Sequence, residues 1–405
     1  MRLTKVLFAL GCAGMFVSAL QAQQIPDLKV GNDTVQFHAF ASQGFAYTND
    51  NNYLTMNTSN GSAAFTEFGF NASMQVTNKL RVGAQMYDRN IGQLGGWHPT
   101  FDWGYADYRF NDWFGIRAGK VKTALGLFND TQDTEALYTW ALLPQSVYPI
   151  DLRSNNIAHT GGDVYGSLSL HKAGTVGYTA YIGARSFDPY GGYNYFSANL
   201  GIPIVSNSGR AAGTDVRWTT PVTGLMVGGS FMDQTQDRKG YYTTLALGAP
   251  LGTPYSFVAN PQRTSAAYGD YTRGNWHLNA EFRRDHYIGD ISTTFGPVFP
   301  WNGSDKAWFV SAAYRINKHL ELGAYHSHYT VDAPFIATDP NSNHIYDEVA
   351  TARVDVTSWW DVKIEGHFMN GYGDMFSAHG FYVANNPQGM KPSTDMLVIR
   401  TGVNF

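Results

Sequence analysis

From end to end, the chain runs through short stretches of alternating hydrophobicity joined by connections that are by turns short and long. Sixteen such stretches can be read: Val35–Tyr47, Phe65–Val76, Leu80–Arg89, Trp103–Phe110, Trp113–Lys120, Asp163–Leu170, Val176–Arg185, Ala212–Thr219, Leu225–Asp233, Thr264–Tyr271, Trp276–Arg284, Ala307–Arg315, Leu320–Tyr329, Glu348–Val356, Trp359–Met369 and Asp395–Phe405. Short gaps such as Thr77–Lys79, Asn111-Asp112 and Thr357-Ser358 alternate strictly with long ones such as Thr48–Ala64, Val121–Gly162, Asp285–Lys306 and Asn370–Thr394. Alternation alone also suits a soluble sandwich or propeller. A sandwich has no reason to send out every second connection as a long loop. A closed antiparallel barrel across a membrane does, and it needs an even strand count to bring both termini to one side. The expected fold is therefore all-β, a 16-stranded antiparallel transmembrane β-barrel with short periplasmic turns and long external loops.

The two faces of the strands differ in kind. Leu80, Val82, Ala84 and Met86 alternate with Arg81, Gly83, Gln85 and Tyr87, and Val362, Ile364 and Phe368 alternate with Asp361, Lys363, Glu365 and His367. A charge facing lipid near the midplane costs about 2–4 kcal/mol, whereas one facing a wet lumen costs little. Sixteen strands leave a lumen wide enough for water. Aromatics crowd the short turns: Phe110, Trp113 and Phe114 bracket one, and Trp218, Trp276, Tyr314, Trp359 and Trp360 flank others. This is where an interfacial girdle is expected.

At the amino end, Arg2 and Lys5 precede an apolar stretch, Val6–Leu20, with Ala22-Gln23 as the expected cleavage point. This is a signal peptide over residues 1–22, too short for a spanning anchor. The only cysteine, Cys12, leaves with it, and a lipoprotein reading at that residue would leave too short an apolar region. Residues 23–34 form a short periplasmic segment and residues 35–405 the barrel. Removing Arg2 and Lys5 from 28 basic residues leaves 26 against 32 acidic, a net charge of −6, which argues against nucleic acid as a partner.

In the last stretch, Leu397, Ile399, Thr401, Val403 and Phe405 share one face. Such an apolar edge is a liability unless it pairs with another strand. The stretch resembles the C-terminal assembly signal of Gram-negative outer-membrane β-barrels. That resemblance implies recognition of Phe405 by the barrel assembly machinery, and closure of the last strand on the first, near Val35–Tyr47.

The third long connection, Val121–Gly162, is too hydrophobic to hang in water, with Leu125, Leu127, Phe128, Leu137, Tyr138, Trp140, Leu142, Leu143, Val147 and Tyr148. Loops of such length need something to pack on. Folded inward, it would narrow the pore. In place and length it resembles the constriction loop of the sixteen-stranded Gram-negative porins. AGKVKTALGLFND (from Ala118) and LLPQSVY (from Leu142) look closest to the phosphate- and dicarboxylate-selective branch. The resemblance implies a passive, water-filled channel for small hydrophilic solutes and ions, assembled as a homotrimer among outer-membrane lipid and lipopolysaccharide, without a cofactor.

Charged residues of the constriction can be nominated. Arg81, Arg109 and Arg117 project inward from the third to fifth strands, while the loop offers Asp130, Asp133, Glu135 and Asp151 with Lys122 and Arg153. A basic wall facing an acidic loop sets a transverse field. The alternative is local ion pairing, such as Asp107 with Arg109 or Asp215 with Arg217. Arg217, Arg283, Arg315, Arg353, Lys363 and Arg400 are further pore-lining candidates and could form the ladder of an anion channel. Asp215, Glu281, Glu321, Asp355, Asp361 and Glu365 lie among them, so a strong anion preference does not follow. His326, His328 and His344 suit a wet rim better than a metal site. No spacing signals a nucleophile elbow, so an outer-membrane hydrolase of the phospholipase type is the minor rival.

Overall fold

The computed structural model describes residues 27–30, 33–244, 250–293, 299–332, 339–373 and 380–405. The expected signal peptide, 1–22, lies outside the described residues. Eighteen strands form one sheet. Two are short: Leu28–Val30 folds back on Asp33–Val35, and Ile204–Ser208 pairs with residues of a later strand. The other sixteen make the wall. They are β1 (Asp33–Thr48), β2 (Ser62–Gln75), β3 (Leu80–Ile91), β4 (Thr100–Asn111), β5 (Phe114–Lys122), β6 (Ala158–Ser169), β7 (Thr175–Arg185) and β8 (Arg210–Thr219). They continue as β9 (Leu225–Tyr241), β10 (Pro254–Arg273), β11 (Trp276–Thr293), β12 (Phe299–Arg315), β13 (Leu320–Asp332), β14 (His344–Asp355), β15 (Trp360–Asn370) and β16 (Ser393–Asn404).

Each wall strand pairs antiparallel with its neighbours in sequence, and β16 pairs with β1, placing Met396 opposite Thr48 and Asn404 opposite Phe40. The barrel is closed. Closure removes every free edge, so the wall's backbone donors and acceptors are satisfied without water. Phe405 finishes the seam: its amide donates to the Ala39 carbonyl at 2.9 Å, the Ala39 amide donates to its carbonyl at 3.2 Å, and its ring stacks on Trp359. Deleting Phe405 removes both bonds and the stack while leaving the lumen untouched. The amount of barrel that resists SDS without boiling should fall severalfold, with unchanged conductance per surviving channel.

The predicted faces hold along the strands. In β16, Met396, Val398, Arg400 and Gly402 are buried inside, while Leu397, Ile399, Thr401 and Val403 look outward. The outer surface carries an apolar belt that includes Phe70, Ile116, Ile182, Val216, Phe231, Phe282, Val310 and Ile364. At the short-turn end the rings gather as expected, with Trp276 on Tyr314 at 4.7 Å, Phe110 on Phe114 at 5.2 Å and Trp359 beside Trp360.

Two features depart from the sequence reading. Strands β9 to β12 run for 17, 20, 18 and 17 residues, although about 9–11 suffice to cross a bilayer. Much of the Asp285–Lys306 connection is therefore strand. Hydrophobic alternation stops where the apolar belt stops, but the ladder continues beyond it through pairs such as Asp237 with Val258 and Tyr287 with Gly303. The Ser186–Ala211 connection also holds a helix, α1 (Gly192–Asn199), which no periodicity announced.

Candidate functional site: the inward loop and the lumen it divides

Between β5 and β6, residues 123–157 enter the lumen and cross to the opposite wall. Its apolar side chains are buried as expected, except Leu137, which is exposed. Leu127, Phe128, Tyr138, Trp140, Val147 and Tyr148 are buried against Tyr268, Phe309, Tyr325, Tyr329 and Val349 of the far strands. Trp140 meets Tyr325 edge-on at 5.0 Å, and Phe128 packs with Tyr138 and Tyr148 at 5.1 and 5.5 Å. Hydrophobic contact alone would let the loop slide, and polar anchors fix it.

Those anchors come mostly from residues nominated as pore-lining. Arg217 donates to the Gly126 carbonyl (3.1 Å), Arg283 to Val147 (3.3 Å), Arg353 to Ala136 and Tyr138 (2.8 and 2.7 Å), Lys363 to Glu135 (2.7 Å) and Arg400 to Ala141 (2.9 Å). Each also meets a carboxylate: Arg217 meets Asp215, Arg283 meets Asp285, Arg353 meets Asp355, Lys363 meets Glu135 and Arg400 meets Glu67. Arg315 stays near the short-turn end, bridging Glu321 and Asp355. The ladder-like row is thus a set of clamps whose charge is neutralised locally.

Acidic wall residues complete the grip. Glu365 accepts the amides of Ala141 and Leu142, both at 2.9 Å, and the Thr351 hydroxyl at 2.6 Å. Glu281 accepts the Leu127 amide at 2.9 Å and the Tyr148 hydroxyl. Gly126 makes that approach possible. Its φ is +65°, and a Cβ there would lie 2.2 Å from a Glu281 oxygen. By residue type, Glu281 and Glu365 are only charges that dilute an anion ladder. Their role as amide acceptors depends on which loop atoms reach them, and residue type alone does not show that.

The expected field between Arg81, Arg109 and Arg117 and the loop is not built from those three residues. Arg81 bonds Ser73, Arg109 pairs with Asp112 in the adjoining turn rather than with Asp107, and Arg117 pairs with Asp163 of β6. They lie toward the short-turn side of the loop and are satisfied within the wall. The loop's own charges pair elsewhere. Lys122 binds Asp133 at 2.7 Å, and Arg153 grips Asp102 with two bonds of 3.0 and 2.8 Å while lying over the Tyr87 ring. Asp130 approaches Arg217 at 3.8 Å. Asp151 turns away to Tyr382 and the Gly380 amide of the last long connection, and burial pushes its carboxyl up against those bonds.

Burial would also raise Asp133 and Glu135, but neighbouring cations outweigh it: Lys122 and Arg153 for Asp133, and Lys363 with Arg400 and Arg353 for Glu135. Both carboxyls sit below their ordinary values. A depressed carboxyl contributes attachment above its free value, and that contribution is lost only as pH falls through the lower bound value. The Asp133 and Glu135 carboxyls should therefore stay ionised from neutral pH down to about 4 and lose their ties only on further acidification, which NMR titration of the two carboxyls reads. Protonation of either carboxyl beginning near pH 6 would overturn this assignment.

The loop divides the lumen. A small space of about 30 Å³, bounded by Glu67, Glu135, Tyr138, Arg153 and Arg400, admits about two waters. A larger chamber of about 270 Å³ lies between the loop, α1 and strands β7 and β9 to β13. It contains Arg185 and Arg238, which were not singled out in the sequence. Arg185 closes β7 on the inward phase, a signal that was legible. Arg238 fell in a stretch read as loop.

No protein-family model matches the chain, and no curated protein matches it in sequence. Solved structures do. OmpT of Vibrio cholerae aligns with a TM-score of 0.54 at 13% identity, over 94% of this chain and 100% of that one. DcaP of Acinetobacter baumannii, described as an outer membrane channel, gives 0.56 at 10% identity over 94% and 100%. An anion-selective porin from Comamonas acidovorans gives 0.53 at 10% identity over 92% and 100%. At such identities the likeness establishes architecture, and the chain has the fold of the sixteen-stranded outer-membrane porins.

Proposed function

We propose that the chain is an outer-membrane porin of a Gram-negative bacterium. It is exported by its 1–22 signal, closed with help from Phe405 and assembled as a homotrimer. It passes small hydrophilic solutes and ions down their gradients and catalyses no reaction. One observation carries this reading: a closed barrel with an apolar belt outside and buried charges inside, crossed by one loop that narrows the lumen without filling it. The trimer form of Vibrio cholerae OmpT supports the oligomeric state by analogy of fold.

The cations at the loop are each matched by carboxylates, so bulk ion selectivity is expected to be weak. In planar bilayers the purified protein should give discrete conductance steps in KCl. Under a tenfold KCl gradient the reversal potential should stay close to zero. Absence of steps from protein that runs as a heat-modifiable barrel would sink the porin reading, and a potential near the chloride limit would favour an anion channel. The phosphate- or dicarboxylate-selective branch gains no support from the loop, whose basic residues are occupied.

A further inference from the structure

Most cations inside the barrel meet a carboxylate, and two that do not lie together in the chamber. Among the described residues Arg185 and Arg238 form no ion pair, although both face the chamber. Arg185 has one hydrogen bond, from Nη1 to the Gln262 side-chain oxygen at 3.2 Å. Arg238 has one, from Nη2 to the Gln236 side-chain oxygen at 2.6 Å. The Nε of each is enclosed without an acceptor among the described residues. The two guanidinium groups also repel one another as like charges. Four arginines and two aspartates, Asp285 and Asp305, line the chamber; Arg153 and Arg283 are held by Asp102 and Asp285, which leaves Arg185 and Arg238 against Asp305, a positive excess.

Their surroundings are aromatic. The Arg238 guanidinium lies between two rings, 3.9 Å from the Tyr193 centroid and 4.4 Å from Phe257. Tyr242, Tyr255, Phe196 and Ile202 extend the same lining. Tyr255 is fixed by its hydroxyl, which donates to the Ile202 carbonyl at 2.8 Å. Tyr193 and Phe196 come from α1, so this helix forms one side of the chamber. Flat apolar walls around a pair of planar cations fit a ligand with a flat apolar body and one oxyanion. Guanidinium forks bind carboxylates through paired N–H donors, and mostly apolar pockets with a few convergent polar groups hold small organic molecules.

We infer that this chamber is a binding site for small aromatic carboxylates, with Arg185 and Arg238 taking the carboxylate and the Tyr193, Tyr255 and Phe257 walls taking the ring. The inference rests on the porin reading for its biological use, because a solute held here sits on the external side of the constriction. It deepens that reading: weak bulk ion selectivity and selective capture of an organic anion coexist, since the cations that clamp the loop meet carboxylates and the two in the chamber do not.

The test is calorimetric titration of the full mature barrel in detergent micelles with sodium benzoate, benzyl alcohol, sodium acetate and inorganic phosphate. Benzoate should bind about tenfold or more tighter than each of the other three, because only it presents both features. Arg185→Gln and Arg238→Gln should each weaken benzoate about tenfold, and Arg185→Lys, which keeps the charge but not the fork, should fall between. If Arg238→Gln does not fold, Arg185→Gln decides alone, since its guanidinium holds only a glutamine. Benzoate binding no tighter than benzyl alcohol, phosphate binding as tightly as benzoate, or an undiminished affinity in a folded Arg185→Gln variant would each overturn the assignment. Micelle binding does not depend on conductance. Benzoate binding without channel steps fails the porin reading alone, and channel steps without benzoate binding fail this site alone.

Discussion

Replacing Glu365 by alanine is expected to free the inward loop and raise single-channel conductance at least about twofold, since a sixteen-stranded wall by itself encloses an aqueous channel. Glu365 is fully buried and is the acceptor for two successive loop amides, Ala141 and Leu142. Its loss also strips a partner from His367, which bonds it at 3.0 Å, and from Thr351. Each donor left buried and unsatisfied costs about 1–3 kcal/mol, so the seated loop is penalised several times over. The freed loop can hydrate those amides, while the wall keeps its own ladder. Glu365→Gln retains acceptors and should open the channel less. The measurement is the step size in planar bilayers, with unboiled SDS mobility as the check on folding. A folded Glu365→Ala barrel with unaltered step size would show that the hydrophobic contacts of Phe128, Tyr138 and Trp140 hold the loop unaided.

The second large effect belongs to the outer face. Phe282→Arg should destabilise the barrel by about 2–4 kcal/mol in lipid, whereas Trp276→Arg on the same strand should cost about 0–1 kcal/mol. Phe282 points outward and lies six residues along β11 from Trp276, which packs against Tyr314 at the short-turn rim. At about 3.3 Å per residue with a tilt of about 45°, that places Phe282 roughly 14 Å from the rim, near the middle of an apolar band about 25 Å tall. Reversible urea unfolding in lipid vesicles reads both values. Equal costs at the two positions would mean that the belt is not a lipid contact.

The clearest lesson in legibility comes from Lys363. Its place on the inner face followed from Val362 and Ile364 beside it, because a register slip of one residue would have put three charges of β15 into lipid. The same reasoning set the phase of Arg400 against Ile399. The use of these residues was not legible. Lys363 meets Glu135, which is 228 positions away in the chain, and Arg400 reaches Ala141 over 259. No local pattern encodes such pairs; they exist because a loop leaving β5 crosses the whole lumen. A row of inward basic residues therefore reads equally as an anion ladder or as a clamp until the loop's path is known.

The extended strands teach the same point from the other side. Hydropathy reports the solvent, so it marked β9 to β12 only where they meet the apolar belt. The hydrogen-bonded ladder beyond it has polar residues on both faces and carries no such mark. Arg238 stands in that extension, where no alternation marks its inward face.

What the sequence by itself determined is the closed sixteen-stranded wall: the strand count, the alternating connections, the facing of each side chain, the aromatic rim and the seam made by the last strand. These follow from local period and from the cost of charge in an apolar medium, both of which act on each strand separately. Only the tertiary structure decided which charges are neutralised and which are left over. Pairing depends on where a loop of about 35 residues and a helix come to rest inside the lumen. That placement turned the expected basic ladder into clamps, and left Arg185 and Arg238 as an unmatched pair in an aromatic chamber.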